Sequence, residues 1–295
     1  MNEEVKKLLR WIADPVIFGN FFISFCAAAL TLETYFLLGV SPKFDGFLFF
    51  IFFATLALYN FHRLMGVRRI KPEDRGEITG WAARHQFALL MLIIIGLGGM
   101  GFFFFQLPPS LGLSFLPIGG VALLYELPLV KFEKRFQRLR NVWFSKSVII
   151  TLVWSISTSI LPAINAGMLL SDIRIWLVFL ERVIFIFTLA LCFDARDVIY
   201  DEREGVRTIP VVFGEGLTMR LYGILTISFV TLSLIHFLLL HWQPAMGIAM
   251  SLSAAATYLV VTRAKSKGND YYYMFLADGM MILQFLLAAA AAWIH

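Results

Sequence analysis

Charge is scarce in this chain. Only 15% of its 295 residues are Asp, Glu, Lys or Arg, whereas 59% are hydrophobic and the mean hydropathy is +0.78. A water-soluble domain carries about 25% charged residues, so the composition excludes that class and indicates an integral membrane protein. Cysteine is also nearly missing. Cys26 and Cys192 are the two present, both within or at the edge of apolar runs. Two such thiols give neither a disulfide framework nor a metal-ligand spacing, and they leave the redox compartment unread. Long polar stretches are lacking too, so there is no room for a soluble domain, and residues 1–295 read as one membrane domain.

The chain does have long apolar runs. Nine of them, at about 16–40, 44–65, 86–106, 110–126, 142–163, 173–193, 218–241, 244–262 and 271–294, are candidates for helices that cross a bilayer, which takes roughly 20 apolar residues each. The fourth is the shortest. The opening "MNEEVKKLLRW" looks like the n-region of a signal peptide, but the run behind it is longer than a typical h-region and carries Glu33. It reads as a retained anchor.

Basic residues alternate between loops. One set holds Lys6, Lys7 and Arg10; then Arg68, Arg69, Lys71, Arg75 and Arg84; then Lys131, Lys134, Arg135, Arg138 and Arg140; then Arg196, Arg203 and Arg207; then Arg263, Lys265 and Lys267. The intervening loops hold little beyond Lys43 and Arg174. Positive residues stay inside, so the expectation is a cytoplasmic N-terminus and an external C-terminus, in a bacterial inner membrane. This bias explains the net charge of +5. Anionic lipid headgroups suffice as its partner, and nucleic acid is not needed.

The sixth run ends in "CFDARDVIYDEREGVRTIP". Asp194, Asp197 and Asp201 fall at i, i+3 and i+7, on one face of a helix. Such a stripe repels itself unless a cation joins it. The second run ends in "LALYNFHRLMGVRRIKPEDRGEITG", which can be laid on the sixth with Asn60 opposite Asp194, Arg63 opposite Asp197 and Val67 opposite Asp201. This hints at an internal repeat across the two halves.

"DARDVIYDEREGVRTIPVVFG" resembles the second aspartate-rich motif of the UbiA superfamily of intramembrane prenyltransferases, through Asp194, Asp197, Asp201, Gly205, Arg207, Thr208 and Gly214. "LYELPLVKFEKR" is similar to a further segment of that family, at Tyr125, Pro128, Leu129 and Lys131. The family's first acidic motif has no counterpart. Tyr59, Asn60, Phe61, His62 and Arg63 stand there, and the next carboxylate is Glu73.

The resemblance implies an all-α fold of nine transmembrane helices around a central cavity, with the motif loops forming a cytoplasmic cap. It implies transfer of an isoprenoid chain from a polyprenyl diphosphate to a lipophilic or aromatic acceptor. Mg²⁺ would be the cofactor, since it takes carboxylate and phosphate oxygens and neutralises a leaving diphosphate. Asp194 and Asp197 would hold one ion, and Asp201 a second ion or a water. Asn60, Arg63, Tyr125, Lys131, Lys146 and Arg207 would meet the substrate. Two readings of the altered first motif stay open. Arg63 replaces a metal, with Asn60 as a neutral oxygen ligand, or Arg63 forms a structural salt bridge in a degenerate site. The second reading makes the protein a non-catalytic lipid-binding or accessory member. A transporter is a third class, but an acid cluster followed by Gly-Arg-Thr does not suggest a transport path.

Charges inside spans are functional suspects by default. Beside Lys146, these are Glu33, the Glu181–Arg182 pair and Asp278, the last a candidate for the polar end of an acceptor pocket. Asn20 and Asn141 read as caps or interhelical bonds, His62 and His85 as structural. Phe102–Phe105 read as ordinary membrane phenylalanines, and Tyr271–Tyr273 as an interfacial belt.

Overall fold

The computed structural model describes residues 3–68, 76–127, 130–132, 135–137, 145–240, 243–267 and 269–294. Every apolar run becomes helix. The elements are α1 (Glu3–Phe18), α2 (Phe21–Leu37), α3 (Gly46–Val67), α4 (Glu77–Arg84), α5 (Gln86–Phe104) and α6 (Pro109–Glu126); then α7 (Ser145–Ser155), α8 (Leu161–Asn165), α9 (Ile173–Glu204), α10 (Ile209–Leu240), α11 (Pro244–Lys267) and α12 (Asp278–Trp293). A two-stranded antiparallel hairpin, β1 (Val130–Phe132) and β2 (Arg135–Gln137), follows α6 with Lys131 opposite Phe136. Two π-helical segments, Ile156–Ile160 and Tyr272–Ala277, run directly into α8 and α12.

Seven helices are long and apolar enough to cross a membrane. The first expected span is broken: Arg10–Phe18 and Phe21–Leu37 meet at 58°, and counting that pair as one span makes eight. The fourth expected span is a shorter apolar helix, Pro109–Tyr125. The expected nine thus resolve into seven, one bent pair and one short helix. The sixth run also extends well past its expected end at 193, because α9 stays helical to Glu204. Of the two motif loops expected to form the cap, the first has residues 69–75 outside the described residues and continues as α4, and the second joins α9 to α10.

The main core lies between α2, α9, α10, α11 and α12, with Leu30, Ile175, Leu191, Tyr222, Met250 and Ala288 fully buried in it. Outward faces stay greasy: Phe87, Ile94, Leu113, Ile227 and Leu238 are exposed, an arrangement suited to lipid and costly in water. Glycines on α5 let it pack closely against α3. A Cβ on Gly96 would lie 2.8 Å from the Ala57 backbone nitrogen, and one on Gly99 would lie 2.5 Å from the Phe53 ring. Small residues let membrane helices approach this closely, and the approach fixes α3 in place.

Two pairs of buried ionisable groups cross between helices in the span interiors. Arg182 on α9 donates to Glu33 Oε2 on α2 (3.1 Å), and also to the Leu30 carbonyl and Thr34 Oγ1 (both 3.2 Å). Thr34 in turn donates to the Thr158 carbonyl in the first π segment (2.5 Å). Neither charge is more than 1% exposed. Glu33 is therefore not an interfacial residue. Its neighbour pair is Glu181 with His236 Nδ1 of α10, at 3.3–3.4 Å. Removing one partner of such a pair leaves an uncompensated charge, at a cost of roughly 3–5 kcal/mol. Arg182→Ala should lower the stability of the detergent-solubilised protein by that order, whereas the double change Glu33→Gln with Arg182→Met should cost clearly less. Equal losses in denaturant unfolding would show that the charge is not what matters.

Candidate active site

A cavity of about 610 Å³ is walled chiefly by four helices, with smaller contributions from Ile23 of α2, Ile78 and Thr79 of α4, and Ala122 and Tyr125 of α6. Each of the four carries a stripe at helical spacing that changes from apolar to charged toward the same end. On α9 the stripe is Ile186, Leu189, Ala190, Phe193, Asp194 and Asp197; on α7, read backwards, it is Trp154, Val153, Ile150, Ile149 and Lys146. On α3 it runs from Leu58 and Tyr59 to His62 and Arg63; on the last helix, read backwards, from Met281 through Asp278 and Met274 to Asp270. The apolar part of the α9 stripe extends about 12 Å from Asp194 at 1.5 Å per residue. The result is a greasy slot closed at one end by ionic groups. Tyr59 accepts a hydrogen bond from Trp154 Nε1 (2.9 Å), which ties α3 to α7 across the slot. Ile78 and Thr79 of α4 lie at the charged end, where the Ile78 amide donates to Asp270 (3.2 Å).

At that end Lys146 stands among the three aspartates. Its Nζ lies 3.2 Å from Asp194 Oδ1, 3.4 Å from Asp197 Oδ2, and 3.1 and 2.8 Å from the two oxygens of Asp201. Ser147 donates to the other oxygen of Asp194, and Arg196 Nε to the other oxygen of Asp197 (2.8 Å). All six carboxylate oxygens thus have a partner. Arg196 also lies over the rings of Phe193 (5.0 Å) and Tyr273 (5.3 Å), a stacked placement that holds the guanidinium against the wall. The helix ends just beyond the acids. Gly205, at a φ of 69°, closes it with the Gly205 amide on the Glu202 carbonyl (3.2 Å) and the Val206 amide on that of Asp201 (2.8 Å). This left-handed cap suits glycine.

Arg63 has neutral company. Its Nη2 donates to Asn20 Oδ1 (2.7 Å), and its guanidinium touches Met274 Sδ at 3.9–4.0 Å. Asn20 sits in the break between α1 and α2 at a φ of 62°, a left-handed conformation that Asn tolerates better than most residues. Its amide also donates to Asn60 Oδ1 (3.0 Å), and Asn60 donates to the Gly19 and Leu56 carbonyls.

The sequence-derived site residues therefore divide. Asp194, Asp197, Lys146, Arg63 and Tyr125 line the cavity, and Asp201 is buried behind them on Lys146. Asn60 is fully buried outside the lining, its oxygen given to Asn20 rather than offered as a ligand. Arg63 does not reach Asp197, whose partners are Arg196 and Lys146. Arg207 is exposed and is not part of the cavity lining. Lys131 lies in β1, and its side chain, like Pro128, Leu129 and Asn141, is outside the described residues. Asp278 is buried and lines the slot, about two turns deeper than Asp270. Among the described residues its carboxylate makes no hydrogen bond. His85 stacks on Trp81 with ring centroids 4.4 Å apart and does not line the slot. Ser147 and Arg196 were not anticipated as site residues. Arg196 was legible as a charge within a helical stripe, but it was counted with a loop; nothing in the sequence marks Ser147.

The chain belongs to the UbiA prenyltransferase family, whose profile matches residues 71–279. No curated protein matches it in sequence. The fold is similar to that of a UbiA homologue from Aeropyrum pernix (12% identity, TM-score 0.63, covering 92% of this chain and 97% of that one). It is also similar to a UbiA homologue from Archaeoglobus fulgidus solved with Cd²⁺ (11%, TM-score 0.62, 94% and 99%). A digeranylgeranylglyceryl phosphate synthase matches over both full chains (14%, TM-score 0.55, 100% and 100%).

The three acids alone are a donor set for Mg²⁺, which requires oxygens at about 2.0–2.1 Å. With Lys146 in their midst they do not fit it, because the ammonium stands where the ion would. The Asn20 junction gives a direct check of the site's framework. Asn20→Gly keeps the backbone freedom but removes the amide on which Arg63 and Asn60 depend. It should destabilise the protein by about 1–3 kcal/mol, with Asn20→Ala worse because alanine is strained at positive φ. Chemical unfolding of the three proteins decides this.

Proposed function

We propose that this protein transfers an isoprenoid chain from a polyprenyl diphosphate to a lipophilic or aromatic acceptor within the membrane. The observation that carries this reading is the slot: four helices that are apolar along their length and charged at one end, matching a hydrocarbon chain with an anionic head. Arg63 is the cation lining the slot whose contacts are all with neutral groups, so it is the residue assigned to the phosphate oxygens. A guanidinium fork suits them. The bond between the allylic carbon and the bridging oxygen breaks, and the electron pair leaves with the diphosphate. Tyr59, Trp154 and Phe193 line the space where the cation would form, and aromatic rings can stabilise a cation. The acceptor attacks that carbon, and its proton passes to a base. Asp278 is assigned that role, as a buried carboxylate with no hydrogen bond among the described residues. No step is routed through Mg²⁺. The alternation of basic loops puts the charged end on the cytoplasmic side in this reading.

A second reading is favoured by one observation: the acids are already saturated by Lys146, Ser147 and Arg196. That would suit a lipid-binding member without turnover.

Thermal stability with geranylgeranyl diphosphate and with geranylgeraniol separates the two. A ligand that binds only the native state adds RT ln(1 + [L]/Kd), about 2.7 kcal/mol at a hundredfold excess over Kd. The expected result is a large shift with the diphosphate, a small one with the alcohol, and release of inorganic diphosphate when membrane lipid extract supplies acceptors. Equal shifts and no release would favour the lipid-binding reading. No shift with either would end the prenyl assignment. Asn20→Asp, which gives Arg63 a carboxylate partner at the same distance, should weaken diphosphate binding about tenfold or more while the protein stays folded.

A further inference from the structure

The geometry points to Lys146 as the resident counter-cation of the aspartate face: we propose that its ammonium takes the place of a divalent ion, and that the protein binds its anionic ligand without one. The inference concerns the site described above and rests on reading that site as a diphosphate slot, but its first measurement needs no diphosphate.

Three features carry it. The Lys146 ammonium donates to Asp197 and Asp201 and lies in ion-pair contact with Asp194, three carboxylates from successive turns of α9, at 2.8–3.4 Å. The side chain is only 14% exposed, so its charge is met mainly by the aspartates. The remaining oxygens of Asp194 and Asp197 are held by Ser147 and Arg196. An ion bound to these oxygens would have to sit where Nζ now sits, and an incoming dication would meet an ammonium already there. The two cannot share the position.

The other half of the argument lies across the slot. The usual complement of a metal-bound acidic face is a second acidic set, and α3 carries none. It presents Arg63, anchored on Asn20 and Met274. Lysine and arginine thus divide the tasks of a metal. Lys146 neutralises the aspartates and keeps α7 against α9, while Arg63 keeps its charge for the ligand. Loss of one cation does not substitute for loss of the other. Lys146→Met should open a vacancy among three acids, and Arg63→Met should not.

The test uses the full chain in nanodiscs. Mn²⁺ is titrated into wild type, Lys146→Met and Arg63→Met, with the free ion followed by its paramagnetic resonance signal. Wild type and Arg63→Met should leave Mn²⁺ free into the millimolar range. Lys146→Met should bind it at least tenfold more tightly and melt at a higher temperature when it is present. If Lys146→Met does not fold without the ion, refolding on addition of Mn²⁺ gives the same answer, and the wild-type titration still stands. Micromolar Mn²⁺ binding to wild type, abolished by Asp197→Asn, would overturn the proposal. Farnesyl diphosphate binding is then measured in EDTA and in Mg²⁺. Affinities within about twofold support a metal-free slot, and binding that appears only with Mg²⁺ overturns it. If farnesyl diphosphate binds in neither buffer, the prenyl reading falls, while the Mn²⁺ titration continues to decide whether Lys146 holds the cation position.

Discussion

Buried ionic contacts between helices organise this apolar bundle. Helices α7 and α9 meet through Lys146 and three aspartates, α2 and α9 through Glu33 and Arg182, and α9 and α10 through Glu181 and His236. Each contact costs desolvation that is recovered only when the geometry is good and the remaining lone pairs are satisfied. The Lys146 cluster meets that condition with every carboxylate oxygen engaged. It therefore fixes both the rotation of α9 and the depth at which the ionic end of the slot begins.

The rest of the slot follows from that register. Once Asp194 and Asp197 face Lys146, the helical period turns Ile186, Leu189, Ala190 and Phe193 toward the same space. Glycines at the α3–α5 contact and the Tyr59–Trp154 bond hold the opposite wall. The π-helical turn at Tyr272–Ala277 lies in the fourth wall, next to Met274 and Asp278. Such turns are frequent at functional sites.

Much of this was legible in the sequence, and the boundary is physical. The apolar runs, the acid stripe and the oddity of Arg63 are local patterns, set by periodicity and composition. Family membership followed from the stripe and the segment around Tyr125. What local patterns cannot carry is the choice of partner. Glu33 and Arg182 were each visible as misplaced charges, but their pairing joins helices far apart in the chain. Lys146 was visible as a charge near a span end, where a lysine can equally snorkel to the interface; only packing of α7 on α9 decides that it turns inward. Ser147 gave no signal at all. The break at Gly19–Asn20 was hidden because the residues flanking it, Val16–Phe18 and Phe21–Ile23, are apolar and helical on both sides. The spans came out fewer than expected because one run is bent, which hydropathy does not register, and the fourth is a short helix.

The α9 stripe also limits how this gene can vary. Its acids, aromatic ring and apolar residues face one space only because their spacing matches the helical turn. Deleting or inserting a single codon between Leu189 and Asp194 would rotate everything beyond it by about 100°, carrying the acids off Lys146 and exposing them to lipid. Point substitutions along that stretch can be graded in their effect, but changes in length cannot. Relatives that keep the same slot should therefore differ in length only between helices, where the chain has no phase to lose.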